Sequence, residues 1–335
     1  MYKAVFAGEK DWNTVNRVYD EKVREKLKEK LHFFEAMVTC QNFKEYKAEL
    51  ESVEYIFSTW GMPAFKENEI MEYFPSLKAV FYAAGSVQGF ARPFLSCGIK
   101  VFGAAASNAV PVAEYTAAQI LLAGKGYFQG VMKFKKNGHR EASEYCRNFP
   151  GNYGTKIGIL GAGRIGQGVI ELLRPCNLEI LVYDPFLSAE TAKQLGVTLT
   201  GLKEIFSKCH IVSNHLANNS ETQGMLNYSL FSCMPDYAAF INTGRGAQVV
   251  EADLIQALKE KPGRTALLDV TFPEPPEEGN EFYSLDNVFL TPHIAGSMGN
   301  ETARMGQCMY EEFMAFSEGR TVCNEVTEAM LKTMA

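Results

Sequence analysis

Apolar residues recur along this chain with two periods. Short apolar runs bounded by Gly, Pro or polar residues read as buried strands. Segments where apolar residues return every three or four positions read as amphipathic helices. In the first third, strands are expected at Tyr2–Ala7, Phe34–Val38, Glu54–Ser58, Leu77–Tyr82 and Ile99–Phe102. Helices are expected at Val18–Leu31, with Val23, Leu27 and Leu31 on one face, at Phe43–Leu50 and at Ile70–Phe74. One long helix, Val112–Met132, should follow Pro111, a residue suited to a first helical turn. It is apolar on more than one face, which fits burial between domains or in an oligomer interface, and equally an ordinary core helix. Lys136–Tyr153 is polar, contains Gly and Pro, and reads as a linker.

Beyond it, strands are expected at Ile157–Leu160, Leu178–Tyr183, Ile211–Asn214, Ala238–Asn242, Thr265–Val270 and Val288–Thr291. They alternate with helices at Ser188–Gly196, Leu202–Phe206 and Val250–Lys259, short turns within Asn219–Leu230, and a last helix at Glu301–Glu318. Such alternation predicts α/β architecture with parallel sheets.

One stretch, Lys156–Asp184, has a chemical signature as well. Its first strand runs into Gly161, Gly163 and Gly166 at the spacing G-x-G-x-x-G. Ile165, Val169, Leu172 and Leu173 then recur at helical spacing, and the next strand ends in Asp184. Gly161 permits a tight turn, Gly163 lets backbone approach a pyrophosphate, and Gly166 lets helix and strand pack closely. The helix start offers free N–H groups and a positive dipole end to phosphates. Asp184, 18 residues after Gly166, accepts hydrogen bonds from a ribose diol and repels a 2′-phosphate. The unit therefore predicts a dinucleotide site that prefers NAD to NADP.

Composition narrows the function. The 335 residues suffice for two domains. Net charge is −6 and the basic residues are scattered, which argues against nucleic acid as partner. The mixed-charge segment Lys22–Lys30 reads as a solvated helix face. No signal-peptide core is apparent near the N-terminus, and no apolar run is long enough to span a membrane. Eight cysteines lie far apart without metal-ligand spacing, so no metal is expected and a reducing cytoplasm is the expected home.

Ligands of open α/β sheets bind beyond the carboxyl ends of the strands. Asp184, His215, Asn242 to Arg245, Asp269, Glu274 and His293 all fall at or just past such ends. Arginine offers a fork of donors to a carboxylate. Histidine exchanges protons near neutral pH, and a neighbouring carboxylate stabilises its imidazolium form. Arg245, Glu274 and His293 are thus a candidate catalytic set. His32, His139 and His210 read as structural.

The order of the motifs KIGILGAGRIGQG, YDP, SETQGM, INTGRGAQVVEADLIQAL, LLDVTFPEPP and NVFLTPHIAGS resembles that of the D-isomer-specific 2-hydroxyacid dehydrogenases. NAVPVAEYTAAQIL is similar to the long helix that leads into that family's cofactor domain. The likeness covers most of Ile99–Glu318. It implies two doubly wound parallel-sheet domains: a flavodoxin-like substrate domain, residues 1–107 plus 300–335, and a Rossmann NAD-binding domain, residues 108–299. It implies Arg245 as the arginine that holds the substrate carboxylate, His293 as general acid/base, and Glu274 as its paired acid. Gly163, Arg164 and Ile165 would meet the pyrophosphate and Asp184 the adenosine ribose. His215, Thr222, Thr243, Asp269 and Gly296 would line the cofactor groove.

The implied partner is a small 2-oxo or 2-hydroxy acid, and the implied assembly is a homodimer through the helices following residue 111. Many members show G-x-G-x-D-x-I-D where this chain has Ala83–Phe90, AAGSVQGF. There the backbone N–H groups of Gly85, Ser86 and Val87 would hold the substrate carboxylate. Trp60 and Met62 would shape the substrate end of the cleft or simply pack. Phosphite dehydrogenases and NAD-sensing corepressors share the architecture and stand as alternatives. A formate-type site is disfavoured, because it resembles a Gln/His pair and not Glu/His. No regulatory domain is expected after Glu318.

Overall fold

The computed structural model describes residues 2–9 and 12–332. The chain forms two compact units. Residues up to Asn108, joined by the segment from Ser297 on, make unit 1, and Ala109–Gly296 make unit 2.

Unit 1 is built on strands β1 (Tyr2–Ala7), β2 (Leu31–Phe33), β3 (Tyr55–Ser58), β4 (Ala79–Tyr82) and β5 (Lys100–Gly103). They pair in the order β5-β4-β3-β1-β2, all parallel, as in flavodoxin-like sheets. A two-residue strand, Glu325–Val326, closes the β5 edge in antiparallel sense. On one face Phe57, Phe81 and Phe102 stack across neighbouring strands with ring centroids 5.1 and 4.9 Å apart. The helix Thr302–Ser317 covers that face with Met305, Met309 and Phe313, spaced by four residues and fully buried. The other face buries Val5, Ile56, Val80 and Val101 against Ile70, Phe74 and Phe94.

The second strand differs from the expected one. Leu31–Phe33 pairs with Tyr2–Ala4, whereas of Phe34–Val38 only Val38 bridges to Ala7. Leu31 continues the four-residue spacing of Val23 and Leu27, so periodicity alone carries the helix too far. The helix occupies Glu21–Lys28, capped by Asp20, which accepts from the Val23 N–H.

Unit 2 contains β6 (Thr155–Leu160), β7 (Leu178–Tyr183), β8 (Thr198–Leu199), β9 (Ile211–Asn214), β10 (Ala239–Asn242), β11 (Thr265–Leu268) and β12 (Val288–Leu290). All are parallel, in the order β8-β7-β6-β9-β10-β11-β12. This is the Rossmann order with a further strand at the β12 edge, and the winding reverses between β6 and β9. The short strand β8 was not apparent in the sequence pattern.

The long helix also departs from expectation. It begins at Ala105, so Pro111 lies inside it, and it ends at Gly124. Gly126, at φ +65°, separates it from a second helix, Tyr127–Asn137. Ala113, Ala117, Ile120 and Ala123 of the first helix pack with Ile157, Ile159 and Ile241, so its inner face belongs to the unit 2 core. The polar segment read as a linker contains a helix, His139–Cys146. Tertiary contacts hold it: the Tyr145 hydroxyl donates to Gln129 Oε1, and Gln129 Nε2 donates to Thr265 Oγ1. A pattern of polar residues does not reveal a helix stabilised by bonds to distant partners.

Candidate active site

The reversal of winding places the ends of β6 and β9 side by side, and the glycine turn leaves from β6. Each of its glycines has a different necessity. Gly161 has φ +90°, and a Cβ there would lie 2.7 Å from the His215 carbonyl oxygen. A Cβ on Gly166 would lie 2.0 Å from the Gly161 carbonyl oxygen. A Cβ on Gly163 would meet nothing within 4 Å. The first and third are thus demanded by the fold. The second leaves bare backbone on an open side, the side a pyrophosphate needs.

The helix Arg164–Leu173 starts there, with first-turn N–H groups that have no intrahelical partner. Gly166, Val169, Ile170 and Leu173 are its buried residues. Leu172, expected on the inner face, is 44% exposed, because 3.6 residues per turn align Ile170 with Gly166 and Leu173 instead. Arg164 is exposed beside the open turn and Ile165 half-buried. Asp184 follows β7 and accepts from the N–H groups of Ala162 and Phe186, both at 2.7 Å. Each carboxylate oxygen is engaged once, and each keeps acceptor capacity for a ribose hydroxyl. Open glycine, free helix amides and an available acid together fit a bound dinucleotide.

His215 follows β9. Its Nε2 lies 2.9 Å from Ser213 Oγ and its Nδ1 3.4 Å from Thr243 Oγ1. Burial pushes its pKa down to about 3, so the ring is neutral at pH 7. Thr222 is committed locally: its hydroxyl donates to the Ala217 carbonyl at 2.6 Å and accepts from the Asn219 N–H.

Arg245 follows β10, in a loop fixed by buried amides. Asn214 Nδ2 donates to Asn242 Oδ1 and Gln248 Oε1, and Gln248 Oε1 also accepts from the Arg245 N–H. Gln248 Nε2 donates to the carbonyls of Leu216 and Ala217. Gly246 then lets this loop touch the next one, since a Cβ there would lie 2.0 Å from the Thr271 carbonyl carbon. That second loop carries Glu274. Glu251 anchors it by accepting from the Phe272 N–H and from Asn280 Nδ2. Burial lowers the pKa of the Arg245 guanidinium, and the charge of Glu274 opposes that shift.

His293 Nδ1 lies 2.6 Å from Glu274 Oε1, with both side chains half-exposed. With the carboxylate as acceptor, Nδ1 carries the shared hydrogen. The His293 backbone has φ +53°, a left-handed conformation that non-glycine residues hold only where their surroundings impose it. Asp269 imposes it here. Its buried carboxylate accepts from the N–H groups of Ile294 (2.8 Å) and Ala295 (2.9 Å) and from Thr291 Oγ1 (2.7 Å). Gly296 ends this loop, half-buried.

The structure therefore brings Arg245, Glu274 and His293 together within unit 2. Sequence reasoning passed over Asn214, Gln248, Glu251 and Thr291, which shape the loops. Only Gln248 left a signal, as a Gln three residues after the start of a helical turn.

The turn Gly85–Val87 lies in unit 1 and is anchored by the fully buried Val87 side chain. No acceptor among the described residues engages its three backbone N–H groups. Met62 packs against the unit 1 core, while Trp60 is 37% exposed. Among the described residues no group of His, Cys, Asp or Glu has metal-holding geometry, and no helix is long and apolar enough to cross a membrane.

A Rossmann sheet with this glycine turn, and an Arg, Glu and His at its strand ends, defines a nicotinamide-dinucleotide-binding oxidoreductase class. The family model described as D-isomer specific 2-hydroxyacid dehydrogenase, NAD binding domain, matches residues 118–295. The chain belongs to this family and takes NAD as its cofactor. It is 32% identical over 231 residues, 68% of its length, to D-3-phosphoglycerate dehydrogenase of Archaeoglobus fulgidus, and spans 43% of that relative. It is 30% identical over 275 residues to formate dehydrogenase of Neurospora crassa, covering 78% of this chain and 73% of the relative. Its fold is similar to that of a phosphoglycerate oxidoreductase from Rhizobium etli, with TM-score 0.81, 21% identity, and coverage of 99% of this chain and 100% of that one.

Proposed function

We propose that this protein is an NAD-dependent oxidoreductase that interconverts a 2-oxo acid and a D-2-hydroxy acid. The carrying observation is the 2.6 Å contact between His293 Nδ1 and Glu274 Oε1, within reach of the Arg245 charge. When bound, the nicotinamide supplies or accepts the hydride at C2. Arg245 binds the substrate carboxylate and orients the 2-oxo group with its planar fork. His293 holds a proton on Nε2 and donates it to the forming alkoxide. Glu274 fixes the ring through Nδ1 and balances the positive charge when the ring is doubly protonated. In the oxidative direction the same nitrogen takes the proton back.

Asp184 supports a preference for NAD over NADP, because a 2′-phosphate would face its carboxylate. Among the described residues no acceptor engages the amides of Gly85, Ser86 and Val87, which supports the proposal that they hold a substrate carboxylate. His215, Thr243 and Asp269 belong to the proposed cofactor groove by their strand-end positions, and Thr222 and Gly296 by their places in the motifs. A homodimer through the helices after residue 111 is part of the same reading. Leu122, Tyr127, Met132 and Phe134 support it, as large apolar side chains left exposed there. Eight free thiols support residence in a reducing cytoplasm.

The test is NADH oxidation, followed optically, with glyoxylate, hydroxypyruvate, pyruvate and larger branched and aromatic 2-oxo acids. Formate and phosphite with NAD form the control arm. Turnover on a 2-oxo acid is expected. Turnover confined to formate or phosphite would replace this reading.

A further inference from the structure

Two consecutive residues of the helix Ala105–Gly124 reach different loops of the candidate site. Tyr115 Oη lies 3.0 Å from Thr291 Oγ1. Thr291 Oγ1 donates its one hydrogen to Asp269 Oδ1 at 2.7 Å, so in the Tyr115 contact it is the acceptor and the phenol donates. The chain of bonds then runs from Tyr115 through Thr291 to Asp269, the carboxylate that holds the Ile294 and Ala295 amides just after His293. The next residue, Thr116, is fully buried, with Oγ1 3.2 Å from Thr243 Oγ1. Thr243 stands two residues before Arg245 and also meets the neutral His215 ring.

Both hydroxyls are bonded to residues off the helix. The buried neighbours on this helix are Val112, Ala113, Ala117 and Ile120, and Phe and Val would fill the same space at 115 and 116. Adjacent helical residues are held 1.5 Å apart along a stiff axis. Two loops bonded to such a pair cannot shift independently without breaking a bond. We infer that Tyr115 and Thr116 are positioning residues that set the His293 loop and the Arg245 loop in register with each other. This rests on the reading that Arg245 and His293 act on one substrate. It explains how a half-exposed histidine with a left-handed backbone keeps a defined direction. Small displacements of reacting groups are costly to rate, so the register has kinetic weight.

The test uses Tyr115→Phe and Thr116→Val, which remove one hydroxyl each and keep the shape. Tyr115→Phe is expected to lower kcat roughly five- to tenfold, as for one lost hydrogen bond that matters in the transition state. KM for NADH should stay put. Thr116→Val should raise KM for the 2-oxo acid by a similar factor, and Thr116→Ser should restore it. A readout independent of turnover is amide hydrogen exchange. Ile294 and Ala295 should exchange faster in Tyr115→Phe, while β6 stays protected. Thr291→Val cuts the same link from the other side and should reproduce the effect if Tyr115→Phe fails to fold.

Unchanged kinetics together with unchanged exchange at Ile294 and Ala295 would overturn the inference, even if the melting temperature fell. Faster exchange in a protein that reduces no 2-oxo acid would uphold the positioning role and remove the proposed function instead.

Discussion

A histidine just past a strand end, with a carboxylate 2.6 Å from one ring nitrogen, has that nitrogen fixed, while the other has no partner among the described residues. The proposed role of His293 as proton carrier rests on that contact. Arg245, Glu274 and His293 were legible in the sequence because each sits in a distinctive motif past a strand. Asn214 was not, because a buried amide network leaves no periodicity and its partner Gln248 lies 34 residues away. Asp184 carries a prediction at this scale. Asp184→Ala should relax discrimination between NADH and NADPH by roughly tenfold or more, the loss of one charged hydrogen-bonding partner of about 1.5–3 kcal/mol. The ratio of kcat/KM for the two cofactors measures it. An unaltered ratio would mean that selectivity lies elsewhere.

At the scale of elements, the strands were easiest to read, since short apolar runs between turns need no partner to be recognised. Helix limits were harder. Leu31 fits the helical spacing of Leu27 and yet pairs in β2, where backbone bonds to β1 win. Helix His139–Cys146 is held by the Tyr145–Gln129–Thr265 chain, which joins residues more than a hundred positions apart. The contact between the Arg245 and Glu274 loops was equally hidden, because it depends on the absence of a side chain at Gly246. Gly246→Ala should therefore push the two loops apart. The expected cost is about 1–3 kcal/mol, as for other overpacked sites, read as a lower urea midpoint. A fall in kcat should accompany it. A variant as stable and active as the parent would show that the close approach is dispensable.

At the scale of the whole molecule, alternating strands and helices announced α/β architecture, and the glycine turn identified which sheet holds the cofactor. The antiparallel strand Glu325–Val326 in unit 1 escaped notice, because two residues form no pattern. Stability also acts at this scale. His215 titrates near 3 in the folded protein against about 6.5 when unfolded. Its folded pKa is depressed, so its contribution is complete above about pH 6.5 and is lost as pH falls towards 3. Between pH 7 and pH 5 the loss should reach at most about 2 kcal/mol, less where the ring edge meets solvent. Urea midpoints of the parent and of His215→Gln at both pH values isolate it: the parent should lose more. An equal loss in both would remove His215 as the cause. Assembly is the second whole-molecule prediction. Leu122→Glu with Phe134→Glu should convert a sedimenting dimer to a monomer. A monomeric parent, or a variant that stays dimeric, would place the interface elsewhere or dismiss it.

The central claim is that His293 moves the proton in a 2-oxo acid reduction. It is tested most directly by comparing His293→Ala with the parent on the best substrate of the 2-oxo acid panel, with NADH binding measured alongside by fluorescence. The expected result is a loss of about 10²–10⁴-fold in kcat, the usual contribution of general acid–base transfer, with NADH affinity nearly unchanged. Turnover in His293→Ala equal to that of the parent would contradict the account.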